Sequence, residues 1–441
     1  MNGEWELKNK QILVLGFGVS GLAATSLLLR KGATVWVWDD ELNEELADKI
    51  VQTGARVFAN PELNPEIIDM LVVSPGMPPK HLLYQEAIEA EIPIIGEAEL
   101  AAREIQGPCV GITGTNGKTT VTMMVAHVLN EAGRKARALG NIGQALTSEV
   151  EELEEQEIVV AELSSAQLET LKTPVLDAAV ILNLSPDHLD RYENYPDYVA
   201  AKFRIGRCLK NNGILFIQEE LSKSHLSLID GVELQTFGWS DGARYRSDRT
   251  HIYHQDQREL TLPSQWISSG DHDIENAMAA YALCRQLGLS ADEFVQGIKT
   301  FKKPLHRLEF VAEIRGVYYY NDSKGTNVAA VMRAVEALKG QIVLIAGGQE
   351  KGISFEPWVE AFKGKVKYIC VIGEAAPRIS REVGAAIPVE LCDCMESAVR
   401  TAATVAEAGD NVLLSPGAAS FDMFKSYQHR GDVFKSLVKS L

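Results

Sequence analysis

A glycine-rich stretch in the first third of the chain constrains the fold more than any other feature. Residues 111–120 read Gly-Ile-Thr-Gly-Thr-Asn-Gly-Lys-Thr-Thr; they follow the apolar pair Cys109-Val110 and precede an apolar-periodic segment, 121–129. This order predicts a buried strand, a tight turn and the start of a helix. A chain built from such units is expected to belong to the α/β class, with a mainly parallel sheet.

The same stretch predicts a binding site for a nucleoside triphosphate. Glycines let backbone N–H groups turn toward an anion, and the helix N-terminus adds partial positive charge. Lys118 can reach terminal phosphates, and the hydroxyl of Thr119 or Thr120 can ligate Mg²⁺. The strict P-loop pattern has a glycine where this chain has Ile112, so the glycine spacing before Gly117 differs. An ordinary glycine-rich turn is therefore the alternative.

Length and charge narrow the class of protein. A chain of 441 residues is too long for one ordinary domain and predicts about three. The net charge of -17 disfavours nucleic-acid binding, because a polyanion requires a basic face. No apolar run is long enough to span a bilayer, and the first residues lack the order of a signal peptide. We therefore expect a cytoplasmic protein without membrane insertion, whose six scattered cysteines are reduced.

A second glycine motif lies near the start of the chain. The apolar run Gln11–Leu15 leads into Gly-Phe-Gly-Val-Ser-Gly at 16–21, then a helical segment, then a strand at 34–38 that ends in Asp39-Asp40. This is the dinucleotide-binding fingerprint in a βαβ setting. The glycines explain only a close approach of backbone to a diphosphate. A nicotinamide dinucleotide, another nucleotide diphosphate such as a uridine nucleotide, and glycines used only for packing all remain open.

Three polar or charged residues of the middle third are further candidates. Glu162 ends the predicted strand 158–162, beside the glycine-rich stretch, where a Mg²⁺ ligand is needed; an incidental exposed glutamate is the alternative. His188 lies in a polar loop after another strand, which weakens the alternative of a packed core histidine. Lys202 lies on an amphipathic helix, and its spacing alone indicates only a solvated charge.

Three loops of the last third each follow a predicted strand and are rich in polar residues and glycine. They are residues 321–327, 347–352 and 415–422, here called the amino-terminal, middle and carboxy-terminal site loops. Since the carboxyl ends of parallel strands share one edge of a sheet, the loops are expected to converge on a second half-site. The resulting domain boundaries are 1–97, 98–303 and 304–441.

Taken together, these motifs resemble the Mur ligases of peptidoglycan synthesis, and the resemblance covers essentially the whole chain in order. The matching motifs are Gly-Thr-Asn-Gly-Lys-Thr-Thr at 114–120, Glu-Leu-Ser-Ser-Ala-Gln-Leu-Glu at 162–169, Asp-His-Leu-Asp-Arg-Tyr at 187–192, His-Arg at 306–307, Asn-Asp-Ser-Lys-Gly-Thr-Asn at 321–327 and Leu-Ser-Pro-Gly-Ala-Ala-Ser-Phe-Asp at 414–422. The resemblance implies three domains: a Rossmann-like N-terminal domain for a UDP-sugar, a P-loop-type central ATPase domain with a mainly parallel sheet, and a Rossmann-like C-terminal domain for an amino acid.

The activity implied by the resemblance is that of an ATP-dependent acid–D-amino-acid ligase. Within the family, the motifs match best the member that adds D-glutamate to UDP-N-acetylmuramoyl-L-alanine, through an acyl phosphate and a tetrahedral intermediate, in cytoplasmic cell-wall precursor synthesis. The three substrates would be ATP, D-glutamate and the UDP-sugar. Two Mg²⁺ ions and a carbamylated Lys202 would assist, and the chain would act as a monomer. The glycines of 16–21 would then hold a UDP diphosphate.

The resemblance also assigns roles to individual residues. The catalytic positions are Lys118, Glu162, His188 and Lys202. The ATP-binding positions are Gly114, Thr115, Asn116, Gly117, Lys118, Thr119, Thr120, Asn276, Arg307, Asp322 and Lys324. The UDP-sugar positions are Gly18, Val19, Ser20, Asp39, Ser74, Gly76, Asn141, Ser164 and Gln167. The D-glutamate positions are Thr326, Lys351, Ser420 and Tyr427. The metal ligands would be Thr119, Glu162, His188 and, if carbamylated, Lys202. Gly325 and Tyr427 depart from the family pattern, in which Ala and Phe are frequent.

Three other functions stay open at this point. A nicotinamide-dependent dehydrogenase would use the first glycine motif but leave the second without a role. A sibling ligase would add a different amino acid, although the Glu-Leu-Ser-Ser and Ser-Pro-Gly-Ala-Ala-Ser runs favour D-glutamate and the Asp-Asn-Pro motif of the diamino-acid-adding sibling is missing. A non-catalytic nucleotide-binding module would bind ATP without turnover.

Overall fold

The computed structural model describes residues 6–59, 62–228, 231–267 and 270–441. Of these, residues 6–184, 199–267 and 274–301 form one compact unit, here called the first unit; residues 185–198, 270–273 and 302–441 form the second unit. The first unit contains two sheets and the second contains one. The three sheets follow the three predicted domains in order, and the exact boundaries between those domains remain predictions.

The first sheet is parallel and has five strands in the order β3-β2-β1-β4-β5, which is a Rossmann-like arrangement. Its strands are β1 (Gln11–Leu15), β2 (Thr34–Trp38), β3 (Arg56–Val57), β4 (Met70–Val73) and β5 (Ile94–Gly96), and the helices of this region are α1 (Val19–Arg30), α2 (Glu44–Gln52), α3 (Leu82–Glu89) and α4 (Glu97–Ala102). The central strands β1 and β4 are almost continuously apolar because both faces of a parallel sheet are covered.

The second sheet has nine strands in the order β14-β13-β12-β11-β10-β9-β6-β8-β7. Its elements are β6 (Cys109–Thr113), α5 (Lys118–Glu131), β7 (Ala136–Gly140), α6 (Leu146–Glu149), β8 (Ile158–Glu162), α7 (Ser165–Thr170), β9 (Leu176–Ile181), α8 (Tyr195–Phe203), β10 (Leu209–Gln218), α9 (Glu219–Ser224), β11 (Glu233–Gly238), β12 (Tyr245–Ser247), β13 (His251–His254), β14 (Gln257–Thr261), α10 (Ser264–Ile267), α11 (Asp271–Gln286) and α12 (Ala291–Thr300), with 3-10 helices at Arg204–Cys208 and Leu226–Leu228. In this order, the strands from β12 to β7, which include β6, run parallel, and β13 and β14 add an antiparallel edge.

The second unit is built on a six-stranded sheet in the order β15-β16-β20-β17-β18-β19. Its elements are β15 (Glu309–Ile314), β16 (Val317–Asn321), α13 (Val328–Ala337), β17 (Ile342–Gly347), α14 (Pro357–Ala361), β18 (Val366–Ile372), α15 (Ala376–Val383), β19 (Val389–Leu391), α16 (Met395–Val405), β20 (Asn411–Leu414) and α17 (Tyr427–Lys439). Only β15 is antiparallel to its neighbour. Strands β16, β20 and β17 are adjacent, so the three site loops leave the same sheet edge, as predicted.

Two observations on the described residues concern the cysteines and the helices. All six cysteines are free, and Cys109, Cys208, Cys284 and Cys370 are buried as packed thiols. In the same part of the chain, no helix combines the length and the apolar character needed to cross a membrane.

Candidate active site

The glycine-rich stretch joins β6 to α5 through a backbone that only glycine adopts easily. Gly114 has a φ of 147° and Gly117 a φ of 87°, in the left-handed region that disfavours L side chains. A Cβ on Gly117 would lie 2.5 Å from Asn276 Oδ1, and a Cβ on Gly114 would lie 3.0 Å from the Cβ of Leu182. The turn therefore requires both glycines, and it places Asn276 of α11 directly against the loop.

Residues 114–120, here called the phosphate loop, form a cradle for an anion. Lys118 is the first residue of α5, and its Nζ donates to the carbonyl oxygens of Gly114 and Thr115, both at 2.8 Å. The ammonium group therefore lies over the loop at the positive end of the helix dipole. Backbone N–H groups of a first helical turn have no partner within the helix and point the same way. This combination suits a polyphosphate.

Asn183 fixes the shape of the phosphate loop, and the sequence analysis did not single it out. Its backbone carbonyl accepts from the N–H of Thr115 at 2.8 Å. Its Oδ1 accepts from the N–H of Asn116 at 2.9 Å, and its Nδ2 donates to the carbonyl of Asn116 at 3.0 Å. The only available signal was its position after β9, the strand beside β6.

We expect Asn183→Ala to raise the KM for ATP about 10-fold, because two side-chain hydrogen bonds of roughly 0.5–1.5 kcal/mol each would be lost from the loop. The measurement is ATP-dependent phosphate release at saturating levels of the other reactants. Asn211→Ala, which replaces an exposed asparagine of the same unit, is the control and should leave this KM unchanged. Equal KM values in both variants would show that Asn183 does not shape the nucleotide site.

Glu162 has the features of a cation ligand. It ends β8, and its side chain is only 2% exposed, which excludes the incidental exposed glutamate. Oε1 accepts from Asn141 Nδ2 at 3.0 Å, whereas Oε2 is buried and has no hydrogen-bond partner among the described residues. A buried carboxylate oxygen without a partner is costly unless a cation neutralises it. Glu162 pairs with Ile112 in the β6–β8 register, at the end where the phosphate loop begins.

Lys202 reaches the same edge of the sheet and is buried rather than solvated, unlike what its spacing alone indicated. Its side chain is 2% exposed, and Nζ lies 3.5 Å from Thr113 Oγ1. Thr113 is the last residue of β6, and its hydroxyl donates to the carbonyl of Leu163. The structure thus brings the phosphate loop, Glu162 and Lys202 together.

The donors at this edge fit Mg²⁺ better than a metal held by protein ligands alone. No group of three or more His, Cys, Asp or Glu side chains in the described ranges is arranged to hold a metal ion. The oxygen donors there are the carboxylate of Glu162 and the hydroxyl of Thr119, which is buried in the first turn of α5. A site with one carboxylate and one hydroxyl suits Mg²⁺, which keeps several water ligands and binds substrate phosphates.

His188 belongs to the second unit and is not a packed core histidine. Half of its side chain is exposed, and its φ of 55° lies in the left-handed region. Its backbone N–H donates to Asp187 Oδ1 at 3.0 Å. A non-glycine residue held in this conformation is strained and is often found at functional sites.

A cavity of about 410 Å³ in the first unit collects most of the residues predicted to bind the UDP-sugar. The predicted residues that line it are Gly18, Val19, Ser20, Ser74, Gly76, Asn141 and Gln167. The first glycine motif forms one wall, where Gly21 packs so closely that a Cβ would lie 1.8 Å from the carbonyl oxygen of Gly16. Asn141 therefore contributes to this cavity while also contacting Glu162.

Asp39 and Ser164 do not line this cavity; they shape the backbone nearby. The carboxylate of Asp39 accepts from the N–H groups of Phe17 at 2.7 Å and Glu41 at 3.0 Å, which fixes the first glycine motif. Ser164 caps α7 in a capping box with Gln167: Ser164 Oγ accepts from the N–H of Gln167, and Gln167 Oε1 accepts from the N–H of Ser164.

Asp322 is buried in the second unit, at the edge of the sheet from which the three site loops leave. It accepts from Ser415 Oγ at 2.7 Å and from the N–H of Leu308 at 3.2 Å. Burial raises the pKa of its carboxyl to about 6, although the charge of Arg307 opposes this shift. A Cβ on Gly325 would lie 2.4 Å from Asp322 Oδ2, so the glycine that departs from the family pattern permits this close packing.

The other predicted nucleotide residues of the second unit surround Asp322. Arg307 has a buried Nε without a hydrogen-bond partner among the described residues. Lys324 donates its backbone N–H to the carbonyl of His306, and its Nζ lies 5.1 Å from the centre of the Tyr427 ring. Arg307, Asp322 and Lys324 thus cluster, whereas the phosphate loop and Asn276 belong to the first unit.

The four residues predicted to bind D-glutamate lie on or beside the three site loops. Thr326 follows β16, Lys351 follows β17, Ser420 follows β20, and Tyr427 begins α17. Lys351 Nζ lies 3.2 Å from Asp187 Oδ1.

Asp187 also accepts a hydrogen bond from Asn327 Nδ2 at 3.2 Å. Its carboxylate thus joins the backbone of His188 to two of the site loops, a role that the sequence analysis did not assign.

Three family models match the chain in sequence order. They are described as "Mur ligase MurD-like, N-terminal domain" at residues 10–96, "Mur ligase middle domain" at residues 112–284 and "Mur ligase, glutamate ligase domain" at residues 306–417. These ranges fall within the three predicted domains.

Curated relatives and solved structures agree with the family models. The chain is 45% identical to the UDP-N-acetylmuramoylalanine–D-glutamate ligase of Protochlamydia amoebophila over 98% of both chains, and 38% identical to that of Caldanaerobacter subterraneus over 99% of both. The UDP-N-acetylmuramate–alanine ligase of Thermotoga maritima is similar in fold, with a TM-score of 0.61 at 19% identity, covering 98% of this chain and 99% of that one. A MurF ligase of the same organism, solved with ADP, has a TM-score of 0.62 at 17% identity, covering 99% and 100%. The chain belongs to the Mur ligase family.

Proposed function

We propose that this chain is an ATP-dependent ligase that joins D-glutamate to UDP-N-acetylmuramoyl-L-alanine through an amide bond. Relatives that carry this name are 45% and 38% identical to it over nearly the whole chain. The structural observation that carries the proposal is the buried Oε2 of Glu162, without a hydrogen-bond partner among the described residues, on the strand beside the phosphate loop. A cation held by this carboxylate would neutralise the charge that develops when a phosphoryl group is transferred.

The first step would transfer the γ-phosphoryl group of ATP to the carboxylate of the UDP-sugar substrate. The carboxylate oxygen bonds to the γ-phosphorus, the bond to the β-γ bridging oxygen breaks, and ADP leaves behind an acyl phosphate. Both reactants are anions, so the chain must position them in line and neutralise their charge. Lys118 and the first turn of α5 would hold the terminal phosphates, while the cavity lined by Asn141 and Gln167 would hold the UDP-sugar.

Thr119 and Glu162 would hold one Mg²⁺, and His188 is proposed as a ligand of a second. When bound, these ions would neutralise the charge of the phosphates. Lys202 is proposed to be carbamylated. The ammonium first loses one proton, and the resulting neutral amine adds CO₂ and loses a second proton, so that a buried cation becomes an anion beside the metal site. The position of Lys202 supports this modification, because its side chain is buried and its Nζ lies beside Thr113, next to the phosphate loop.

In the second step, the amine of D-glutamate would attack the acyl carbonyl carbon, and phosphate would leave from the tetrahedral intermediate. Thr326, Lys351, Ser420 and Tyr427 are proposed to hold the amino acid. Lys351 suits this role because an ammonium pairs with a carboxylate through a charge-assisted hydrogen bond. We further propose that the reaction takes place in the cytoplasm and that the chain acts as a monomer.

The test is phosphate release by the purified protein with ATP, Mg²⁺ and UDP-N-acetylmuramoyl-L-alanine. We expect release that depends on D-glutamate and is much slower with L-glutamate, L-alanine or a diamino acid. A sibling ligase would prefer one of those other amino acids, and a passive module would release no phosphate. A dehydrogenase would instead change the absorbance of an added nicotinamide cofactor.

A further inference from the structure

Arg430 is buried in the second unit in an unusual environment. It lies in the first turn of α17, and its side chain has no exposed surface. Nε donates to Ser323 Oγ at 3.0 Å, and Nη2 donates to the carbonyls of Ser323 at 2.9 Å and Ala418 at 3.2 Å. Nη1 donates to the carbonyls of Ala418 at 3.2 Å and Ala419 at 3.0 Å. None of the ion pairs found among the described residues includes Arg430.

This arrangement is expensive for the fold. A buried cation loses its hydration free energy, and hydrogen bonds to neutral carbonyls compensate for this loss less completely than a carboxylate would. The positive end of the α17 dipole is also unfavourable for a cation in the first turn. Burial lowers the pKa of Arg430 to about 10, so the side chain is still charged at neutral pH, with Asp422 and Asp322 acting at longer range. Such a cost indicates that the planar fork of donors performs a task that an apolar side chain would not.

The task visible in the structure is to join two of the site loops. Ser323 belongs to the amino-terminal site loop, three residues before Thr326, and Ala418 and Ala419 directly precede Ser420 in the carboxy-terminal site loop. The hydroxyl of Ser323 also donates to the carbonyl of Tyr427 at 2.8 Å. One guanidinium group thus sets the backbone beside three of the four residues proposed to bind the amino acid.

The middle site loop, which carries Lys351, lies against the same group. The carbonyl of Ala419 accepts from the N–H of Gln349 at 2.9 Å, and the two residues form an isolated bridge. A Cβ on Gly348 would lie 2.1 Å from the carbonyl oxygen of Ala419 and 2.9 Å from Arg430 Nη1. The glycine therefore lets this loop pack directly on the guanidinium and its acceptor.

We propose that Arg430 is a positioning residue for the incoming amino acid: its guanidinium fork holds the three site loops in one arrangement, and so sets the spacing of Thr326, Lys351, Ser420 and Tyr427. The inference rests on the proposed role of these loops in binding D-glutamate. Arg430 itself is buried behind the loops and acts through their backbone carbonyls and Ser323. Fixing several binding groups from behind makes them pre-organised, which lowers the cost of ordering them when a ligand binds.

The kinetic test compares Arg430→Lys with wild type in the full-length chain. Lysine keeps the positive charge but cannot reproduce the fork, so we expect the KM for D-glutamate to rise about 10-fold or more. We expect kcat to stay within about 2-fold. The KM for ATP should rise less than the KM for D-glutamate, because the phosphate loop and Asn276 belong to the first unit and only Asp322 and Lys324 of the predicted ATP-binding residues lie in the amino-terminal site loop. Ser323→Ala removes one acceptor of the fork and should raise the same KM by a smaller factor, which keeps the test available if Arg430→Lys does not fold.

Phe434→Leu is the matched control for general destabilisation of α17. Phe434 lies one turn further along the same helix, fully buried in the core cluster that includes Val412 and Leu414. A purely structural role for Arg430 predicts that both variants raise the KM for D-glutamate in proportion to their loss of thermal stability. That result, or an unchanged KM in Arg430→Lys and Ser323→Ala, would overturn the proposal.

Hydrogen–deuterium exchange without substrates separates this proposal from the proposed function. In Arg430→Lys, or in Ser323→Ala to a smaller extent, exchange should increase in residues 321–327 and 415–422 and not across α17 as a whole. If wild type makes no ADP with D-glutamate, the proposed function is wrong, and the exchange pattern still decides whether Arg430 positions the loops. Unchanged exchange in residues 321–327 and 415–422 would overturn the positioning role of Arg430.

Discussion

Lys118→Ala is expected to lower phosphate release at least about 1000-fold. Removing a neutral donor from a site that stabilises developing negative charge typically costs a factor of about 100 to 1000, and an ammonium group aimed at a triphosphate should cost at least the upper value. Lys118 Nζ contacts the carbonyls of Gly114 and Thr115, so its position over the phosphate loop is set before any catalytic step. The measurement is phosphate release with all three substrates at saturating Mg²⁺.

Lys135→Ala serves as the control for this variant. Lys135 belongs to the same unit, and its exposed ammonium group pairs with the exposed carboxylate of Glu154. We expect this substitution to leave activity unchanged, since an exposed ion pair of this kind contributes little. If Lys118→Ala kept more than a tenth of the wild-type rate, Lys118 would not be the residue that neutralises the terminal phosphates.

Glu162→Gln is expected to lower activity about 100-fold while leaving the fold at least as stable as wild type. The amide keeps an acceptor for Asn141 Nδ2 but removes the negative charge that would bind Mg²⁺. It also removes a buried carboxylate oxygen that has no hydrogen-bond partner among the described residues, and this removal should not destabilise the fold. The Mg²⁺ concentration for half-maximal rate should rise, and thermal unfolding should show no drop in midpoint.

Glu97→Gln is a closely matched control for this second variant. Glu97 is also buried in the first unit; it accepts from the N–H and hydroxyl of Thr147, and its Oε2 likewise lacks a partner among the described residues. Burial raises the pKa of Glu97, and glutamine has nearly the shape of a protonated glutamate side chain. Its activity and Mg²⁺ dependence should match wild type. A similar Mg²⁺ dependence in both variants would remove Glu162 from the metal site.

Much of the fold and its site edges could be predicted from local sequence patterns. Strand–glycine–helix order and apolar runs are local signals, and they predicted an α/β chain whose candidate loops follow buried strands. The order of β16, β20 and β17 then places the three site loops side by side. The family prediction, which came from motifs spread along the chain, is confirmed by family models and relatives. The roles of individual residues stay predictions.

The rest depends on contacts between distant segments, which spacing does not encode. Lys202 has the helical position of a solvated lysine, yet the packing of α8 buries it beside Thr113. Asn183 carries no motif, and only the pairing of β9 with β6 brings it to the phosphate loop. Arg430 has the spacing of an ordinary helical arginine, and its role becomes visible only through the carbonyls of residues 107 and 12 positions away.

The pairing of Lys351 with Asp187 has a consequence for amino-acid recognition. If Lys351 binds the incoming carboxylate, that group must exchange with a carboxylate the protein already supplies. The free energy gained is then only the difference between two similar ion pairs, so this lysine alone would give weak affinity for free glutamate. Preference for the correct amino acid would therefore depend on a competition. A ligand binds only if its contacts with the other pocket groups are strong enough to displace the carboxylate of Asp187 from Lys351.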